Sequence, residues 1–299
     1  MKKSVSMLLA ALMLTGALAG CGSSASTSDS QAADGADGGV SGAITVISRE
    51  DGSGTRGAFI ELTGVEEKTA DGKKVDNTTA DAEIANKTDV VLTSVAGNEK
   101  AIGYISLGAL NDTVKAVKVD GAEATVDNVK AGAYKLSRPF NIATKGEPTG
   151  VAKDFINFIL SKEGQAVVTD NKYIAVNDAA ESFVSDGSSG QIAVGGSSSV
   201  SPVMEKLIEA YKSVNPNASI DLQTSDSTSG MTGAMDGTFA IGMASRELKD
   251  EEAAQLTGTA IALDGIAVIV NPANTIDELS MDQIKSIYVG DITDWGDLA

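Results

Sequence analysis

From residue 44 onward, short apolar runs alternate with polar, glycine-containing turns and with stretches whose apolar residues recur at helical spacing. Ile44, Val46 and Ile47 form a strand, and residues 49–55 a polar turn. A helix then starts near Thr55 or Arg56 and runs to about Leu62. The passage from Glu66 to Asp81 is polar and rich in Lys, Asp and Thr. Asp89 to Asn98 reads as a helix or strand, followed by a strand with glycine kinks over Ala101 to Leu110. Val114 to Val126 alternates like a β-ribbon. Tyr134 to Thr144 is extended, and Pro139 inside it calls for an edge or crossover position.

Val151 to Asp170 reads as one helix with Phe155, Ile156, Ile159 and Leu160 on its apolar face and Asp154 and Lys162 facing out. Asn177 to Gly190 is a polar surface linker. A second strand-turn-helix unit follows: strand Ile192 to Val194, turn Gly195 to Ser201, helix Pro202 to Val214, with Pro202 suited to a first turn. Ser219 to Leu222 is a strand leading into a third polar turn, Thr224 to Gly233, which opens another helix. Ala240 to Met243 and Ile261 to Asn271 are strands, and Ser280 caps a helix running to Tyr288. Strands alternating with helices imply an α/β fold with ligands at the carboxyl ends of strands.

The three turns share a chemistry. Arg49, Asp51, Ser53 and Thr55 surround Gly52, Gly54 and Gly57 in the first, and the other two are rich in Ser and Thr. The first turn of a helix leaves N–H groups unpaired and carries positive partial charge. Hydroxyl donors and a guanidinium at such ends make a pocket for an oxyanion. One such turn is an ordinary helix cap; three in one chain point to a common cleft.

Composition narrows the chemistry. The 299 residues contain no histidine, which excludes a Ser-His-Asp hydrolase and a His-built zinc site. No carboxylate metal cluster is apparent, no Ser-x-x-Lys stands at a helix start, and no catalytic residue or cofactor is expected. The formal net charge of −18 makes nucleic acid and anionic lipid poor partners for the body. An anionic ligand must therefore be held by local dipoles and a few placed cations.

The sole cysteine, Cys21, follows a basic start (Lys2, Lys3) and an apolar run from Val5 to Ala19 of signal-peptide length. Leu18-Ala19-Gly20-Cys21 resembles the bacterial lipoprotein processing box, which implies cleavage before Cys21 and a lipid (diacylglyceryl, with palmitate) on the protein. Residues 22–42 are Ser, Ala, Gly and Asp with almost nothing apolar and read as a flexible tether.

The segments ITVISREDGSGTRGAF, GYISLGAL, YKLSRPFNIAT, FINFILSKEGQ, IAVGGSSSVSPVMEKLIEAY, TSGMTGA, IGMASRELKDEE, IALDGIAVIVNPAN and LSMDQIKSIYVGDITDW resemble the phosphate-binding proteins of bacterial phosphate ABC transporters. These form the PstS-like branch of the periplasmic-binding-protein superfamily. The segments span most of the mature chain. The resemblance implies a type II-like, two-lobed α/β fold, each lobe a mixed sheet flanked by helices, with two crossover strands as hinge. The order differs from the family's: the GSSSV segment there comes first and SREDGSGTR follows the DW segment. A circular permutation, joined through Asn177 to Gly190, accounts for this, as does a piece of a longer tandem protein. The domains expected are a lipoprotein signal peptide (1–20), the lipidated cysteine and tether (21–42), a lobe of 43–138 plus 271–299 carrying the REDGSGTR loop, and a lobe of 139–270 carrying the GSSSV and TSG loops. The hinge would lie near Ser137 to Phe140 and Val270 to Pro272.

Carried over by position, the family's ligand contacts fall on Arg49, Ser53, Gly54, Thr55, Ser198, Ser199, Thr228 and Ser229, with Asp51 expected either to orient Arg49 or simply to form the turn. Many members carry an acid after the strand occupied here by IGMAS, and it accepts the proton of hydrogen phosphate. Arg246 stands there in this chain, so Glu247, Asp264 or a serine oxygen would take that role, and Arg246 would add a second cation or turn away into a structural ion pair. The implied function is an extracytoplasmic, membrane-anchored protein that captures inorganic phosphate and delivers it to ABC permease subunits, touching the membrane through its lipid only. Alternatives are another tetrahedral oxyanion such as sulfate or molybdate, or a phosphate sensor or adhesin without transport.

Overall fold

The computed structural model describes residues 40–298. The signal segment, Cys21 and nearly all of the tether lie outside the described residues. In chain order the elements are β1 (Thr45–Arg49), α1 (Gly54–Thr63), β2 (Glu66–Lys68), β3 (Lys74–Asp76), β4 (Glu83–Ala85), α2 (Thr88–Ala96), β5 (Ala101–Ser106), β6 (Lys115–Ala116), β7 (Lys118–Val119), α3 (Val126–Lys130), β8 (Ser137–Thr144), α4 (Gly150–Leu160) and α5 (Lys162–Asp170). There follow β9 (Gly190–Ser197), α6 (Ser201–Val214), β10 (Ala218–Ser225), α7 (Ser227–Asp236), β11 (Ile241–Ala244), α8 (Asp250–Ala253), β12 (Thr257–Val270), β13 (Glu278–Leu279) and α9 (Met281–Val289).

The main sheet runs β10-β9-β11-β8-β12-β5-β1-β4, with β6 paired to β12. Strands β9, β10 and β11 are mutually parallel at one end, and β1, β4 and β5 at the other. The antiparallel pair β8–β12 joins the two ends.

Two apolar clusters flank that pair. One gathers residues such as Ile47, Phe59, Tyr104, Val268 and Tyr288. The other gathers Phe140, Phe155, Val194, Met204, Leu207 and Tyr211. Strand β8 passes from one cluster to the other just after Leu136, and β12 passes between Ala262 and Ile266. The expected change at residue 270 therefore sits too late: Ile266 to Val270 pack with the first cluster, because β12 is one uninterrupted 14-residue strand that serves both. The paired residues at the crossing are Pro139 with Leu263, Arg138 with Asp264 and Ser137 with Gly265.

Pro139 takes the crossover position of the two expected: β8 lies between β11 and β12, and its pairing with β11 covers only Asn141 to Ala143. Proline offers no N–H, and the backbone of Leu263 opposite it pairs with Ile174 instead, through hydrogen bonds of 2.9 and 3.0 Å. The helix expected over 151–170 is two. Ser161 adopts an extended conformation, its Oγ accepting from Gly164 N–H (3.2 Å) to cap α5. Residues 114–126 do not form a ribbon: β6 pairs with β12, β7 with β13, and α3 begins at Val126.

Asp154 does not face solvent. It is 1 % exposed and accepts hydrogen bonds from Tyr211 Oη (2.7 Å), Asn215 Nδ2 (3.1 Å), Ser185 Oγ (2.7 Å) and Asp186 N–H (2.9 Å). The linker before β9 is thereby tied to α4 and α6. Burial disfavours the Asp154 charge, but the hydrogen bonds from Asp186, Tyr211, Ser185 and Asn215 outweigh it and hold the carboxyl below its ordinary range.

Candidate functional site

Four helices begin at the carboxyl ends of, or beside, parallel strands: α1 after β1, α2 after β4, α6 after β9 and α7 after β10. Their first residues meet where the two apolar clusters face each other. Arg49 closes β1 and is buried. Its Nη2 donates to Ser198 Oγ at 3.1 Å, in the loop between β9 and α6. Thr55, in the first turn of α1, lies with its Oγ1 2.8 Å from Ser199 Oγ. Thr88, the first residue of α2, approaches Ser198 and Ser199 at 3.5 and 3.4 Å.

A second group of hydroxyls adjoins this one. Ser197 Oγ donates to Ser245 Oγ (3.0 Å), and Ser245 N–H donates to Ser227 Oγ (3.1 Å). A Cβ built on Gly54 would overlap Ser227 Oγ and Ser245 Oγ. Glycine is required there because the start of α1 is pressed against those two serines. Thr228 joins the two sides: its N–H and Oγ1 both donate to Gly52 O, at 3.1 and 3.2 Å. Ser53, also buried, caps α1 through its Oγ, which accepts from Arg56 N–H.

The structure thus brings together Arg49, Ser53, Gly54, Thr55, Ser198, Ser199 and Thr228. It does not bring Ser229. That residue is exposed, and its N–H and Oγ both donate to the Asp226 carboxylate. Asp226 is the N-cap of α7, so Ser227 occupies the first helical position and takes the buried place. The residues that sequence reasoning missed are Thr88, Ser197, Ser227 and Ser245. Asp226 was the available signal for Ser227, because an Asx cap fixes the phase of the helix that follows it.

Asp51 does not orient Arg49. Its side chain is 98 % exposed and pairs with Arg56 (3.2 Å). Glu50 does the orienting, with Arg49 Nε donating to Oε2 (2.8 Å) and Nη2 to Oε1 (2.7 Å), while Ala85 O accepts from Nε at 3.2 Å. The turn after β1 throws Asp51 outward and leaves Glu50 alongside the guanidinium. Arg246 forms a structural ion pair: Nη1 and Nη2 hold Glu252 at 2.7 and 2.8 Å, and Nη2 also reaches Thr228 Oγ1 at 3.3 Å. The Glu247 carboxylate accepts a long bond from Asn141 Nδ2 (3.4 Å), and its backbone oxygen accepts from Arg246 Nη1 (2.9 Å).

Asp264 lies at the β8–β12 crossing, where its carboxylate accepts from Ser106 Oγ (2.9 Å) and from Arg138 Nη2 (3.1 Å), apart from the site hydroxyls of Thr55, Ser198 and Ser199. Burial pushes its carboxyl up to about 6, against the opposing pull of Arg138 and Ser106.

The chemistry of this arrangement is one-sided. Hydroxyls, amide N–H groups at helix starts and a guanidinium all donate to, or carry positive charge toward, a common point. Among the described residues no group of His, Cys, Asp and Glu is placed to hold a metal ion, and no helix is long and apolar enough to cross a membrane.

Comparison with known proteins agrees with this donor set. A family model for the PBP superfamily domain matches residues 22–163 and 182–299. The phosphate-binding protein PstS 2 of Streptococcus agalactiae serotype V is 50% identical over 300 residues, 99% of this chain and 98% of that one. The crystal structure of a phosphate-binding protein of a phosphate ABC transporter from Streptococcus pneumoniae TIGR4 superposes with a TM-score of 0.69 at 50% identity, covering 86% of this chain and all of that one (100%). The segment order found here is therefore shared along the length of the streptococcal relative. By contrast, the phosphate-binding protein PstS of Bacillus subtilis matches at 34% over 143 residues, 47% of this chain and 44% of that one. The chain belongs to the PBP superfamily and, within it, to the PstS phosphate-binding proteins.

Proposed function

We propose that this protein captures inorganic phosphate between the two faces described above and hands it to the permease of an ABC transporter. The observation that carries the reading is the meeting of Arg49 with Ser198 and of Thr55 with Ser199, one donor of each pair on either side of the β8–β12 crossing. Donors that now satisfy one another exchange those neutral contacts for charge-assisted bonds to an anion, which are about twice as strong. The ligand set is Arg49, Ser53, Gly54, Thr55, Ser198, Ser199 and Thr228, extended by Thr88 and Ser227. The two apolar clusters act as lobes, 43–138 with the segment after the crossing in β12, and 139 to about 263. They open and close about the crossing of β8 and β12. A lipid on Cys21, on the outer face of the membrane, keeps the protein near its permease; the lipoprotein-like processing box supports this.

Calorimetric titration of the purified protein with phosphate, sulfate and molybdate tests the reading. One phosphate site, lost in Arg49→Ala, is the expected result; tight sulfate or molybdate binding without phosphate binding overturns it. The second reading, another oxyanion, is favoured by one observation: Arg246 is committed to Glu252 where an acid would accept the phosphate proton. Glu50 or a hydroxyl oxygen must accept it instead.

A further inference from the structure

Arg138 stands at the crossing of the two long strands, opposite Asp264. Its side chain is 1 % exposed. One nitrogen, Nη2, is held by Asp264 at 3.1 Å, while Nε and Nη1 find no acceptor in the protein. Two charged donors left unpaired in a buried position are costly. The guanidinium is otherwise rigidly seated: it lies 5.5 Å from the centroid of the Phe140 ring, and its partner Asp264 is fixed by Ser106.

Arg138 is also near the anion-binding arginine. The positive charges of Arg49 and Arg138 oppose one another, and burial together with Arg49 drives the Arg138 guanidinium down to about 10, despite the attraction of Asp264. The partner shifts the other way, with Asp264 raised to about 6 by burial. Burial pushes each member of the pair toward its neutral form, against their mutual attraction. A buried pair of this kind contributes little to stability and can be replaced by neutral groups.

Two guanidiniums whose charges oppose one another, one with an unused donor edge, are relieved by an anion that both can reach. Arg138 further lines the crevice of about 640 Å³ that runs between α1 and the segment Arg246 to Glu251, with Ser137 to Pro139 at its floor. It therefore borders a partly polar crevice rather than a sealed apolar surround.

We propose that Arg138 is a second cationic ligand of the bound oxyanion, presenting its Nε–Nη1 edge to it, and that Asp264 is the positioning residue that holds it there. The proposal rests on the oxyanion reading above and deepens it. It also supplies the second positive charge that the ion-paired Arg246 does not, and it couples ligand contact to the strand pair about which the faces move.

The test uses the double variant Arg138→Gln with Asp264→Asn, which keeps shape and removes both charges, so that no buried carboxylate is left alone. Phosphate affinity is measured by calorimetry beside the unfolding temperature of the unliganded protein. The expected result is an unliganded unfolding temperature near that of the parent with affinity lower by about 10- to 100-fold, the range for a hydrogen bond to a charged group. Affinity within twofold of the parent overturns the proposal, because a merely structural pair leaves the folded protein's affinity unchanged. Should the double variant fail to fold, Arg138→Lys serves. It keeps the charge beside Asp264 but loses the planar fork, and a drop of at least about fivefold is expected; unchanged affinity again overturns the proposal. If the parent binds sulfate or molybdate but not phosphate, the same variants measured with that anion separate failure of the phosphate reading from failure of the Arg138 assignment.

Discussion

The hydroxyls of Thr55 and Ser199, 144 residues apart in the chain, lie 2.8 Å from each other. Thr55 opens α1 and Ser199 precedes α6, so their contact brings two helix N-termini to one point.

Arg49 is held by Glu50, not by its more obvious neighbour Asp51. Glu50→Gln is therefore expected to weaken phosphate binding by about tenfold, since it loosens a charge-assisted grip on the guanidinium. Asp51→Asn, on an exposed side chain, is expected to change affinity by less than about twofold. Calorimetry on the two variants checks the contrast, and equal losses would show that Asp51 acts at a distance.

Ser227 takes the buried place that was expected of Ser229. Ser227→Ala removes a buried hydroxyl facing Ser245 and is expected to lower phosphate affinity severalfold to tenfold. Ser229→Ala loses only a bond to the α7 cap and is expected to leave affinity unchanged, at a cost of about 0.5–1 kcal/mol in stability. Paired titrations and urea melts separate the two effects.

At Gly54 a methyl group would overlap Ser227 and Ser245. Gly54→Ala is expected to keep the protein folded, because the clash arises only where α1 meets the opposite face, yet to reduce phosphate affinity by about 100-fold or more. Small-angle scattering with and without phosphate reads the same defect as a failure to compact; normal compaction would contradict it.

Asp154 accepts two hydrogen bonds from the linker before β9, at Ser185 and Asp186, and two more from Tyr211 and Asn215 at the end of α6. Its carboxyl is held below the ordinary range in the folded protein. The folded state thus binds its proton less readily than the unfolded one, and the stabilisation is present above the unfolded carboxylate value of about 3.9 and lost as pH falls through the folded value. Asp154→Asn is expected to destabilise by about 1–3 kcal/mol at neutral pH. The gap to the parent should narrow in urea melts carried toward pH 3, and a gap constant with pH would rule out the ionised carboxylate as its source.

Much of the site could be read from residue patterns. Arg49, Ser53, Gly54, Thr55, Ser198 and Ser199 lie in turns whose glycines and hydroxyls announce an anion-binding helix start, and such signals are local. Thr88 was not legible, because a threonine before an apolar run looks the same whether its hydroxyl faces solvent or a ligand. Asp154 was misread for a similar reason: helical spacing puts it beside Lys162 on the polar side, and only the return of residues 185–186 covers it.

The sequence by itself determined the α/β alternation and the turns rich in hydroxyls, glycine and arginine at helix starts that suit an oxyanion. Those follow from periodicity, composition and local cap chemistry, which need no knowledge of distant neighbours. The tertiary structure alone decided that Glu50 rather than Asp51 grips Arg49, that Ser227 displaces Ser229, that Arg246 is spent on Glu252, and that Arg138 and Asp264 face each other where β8 and β12 cross. Each depends on which side of a turn or strand meets a residue far away in the chain, and that is fixed only when the two apolar clusters pack.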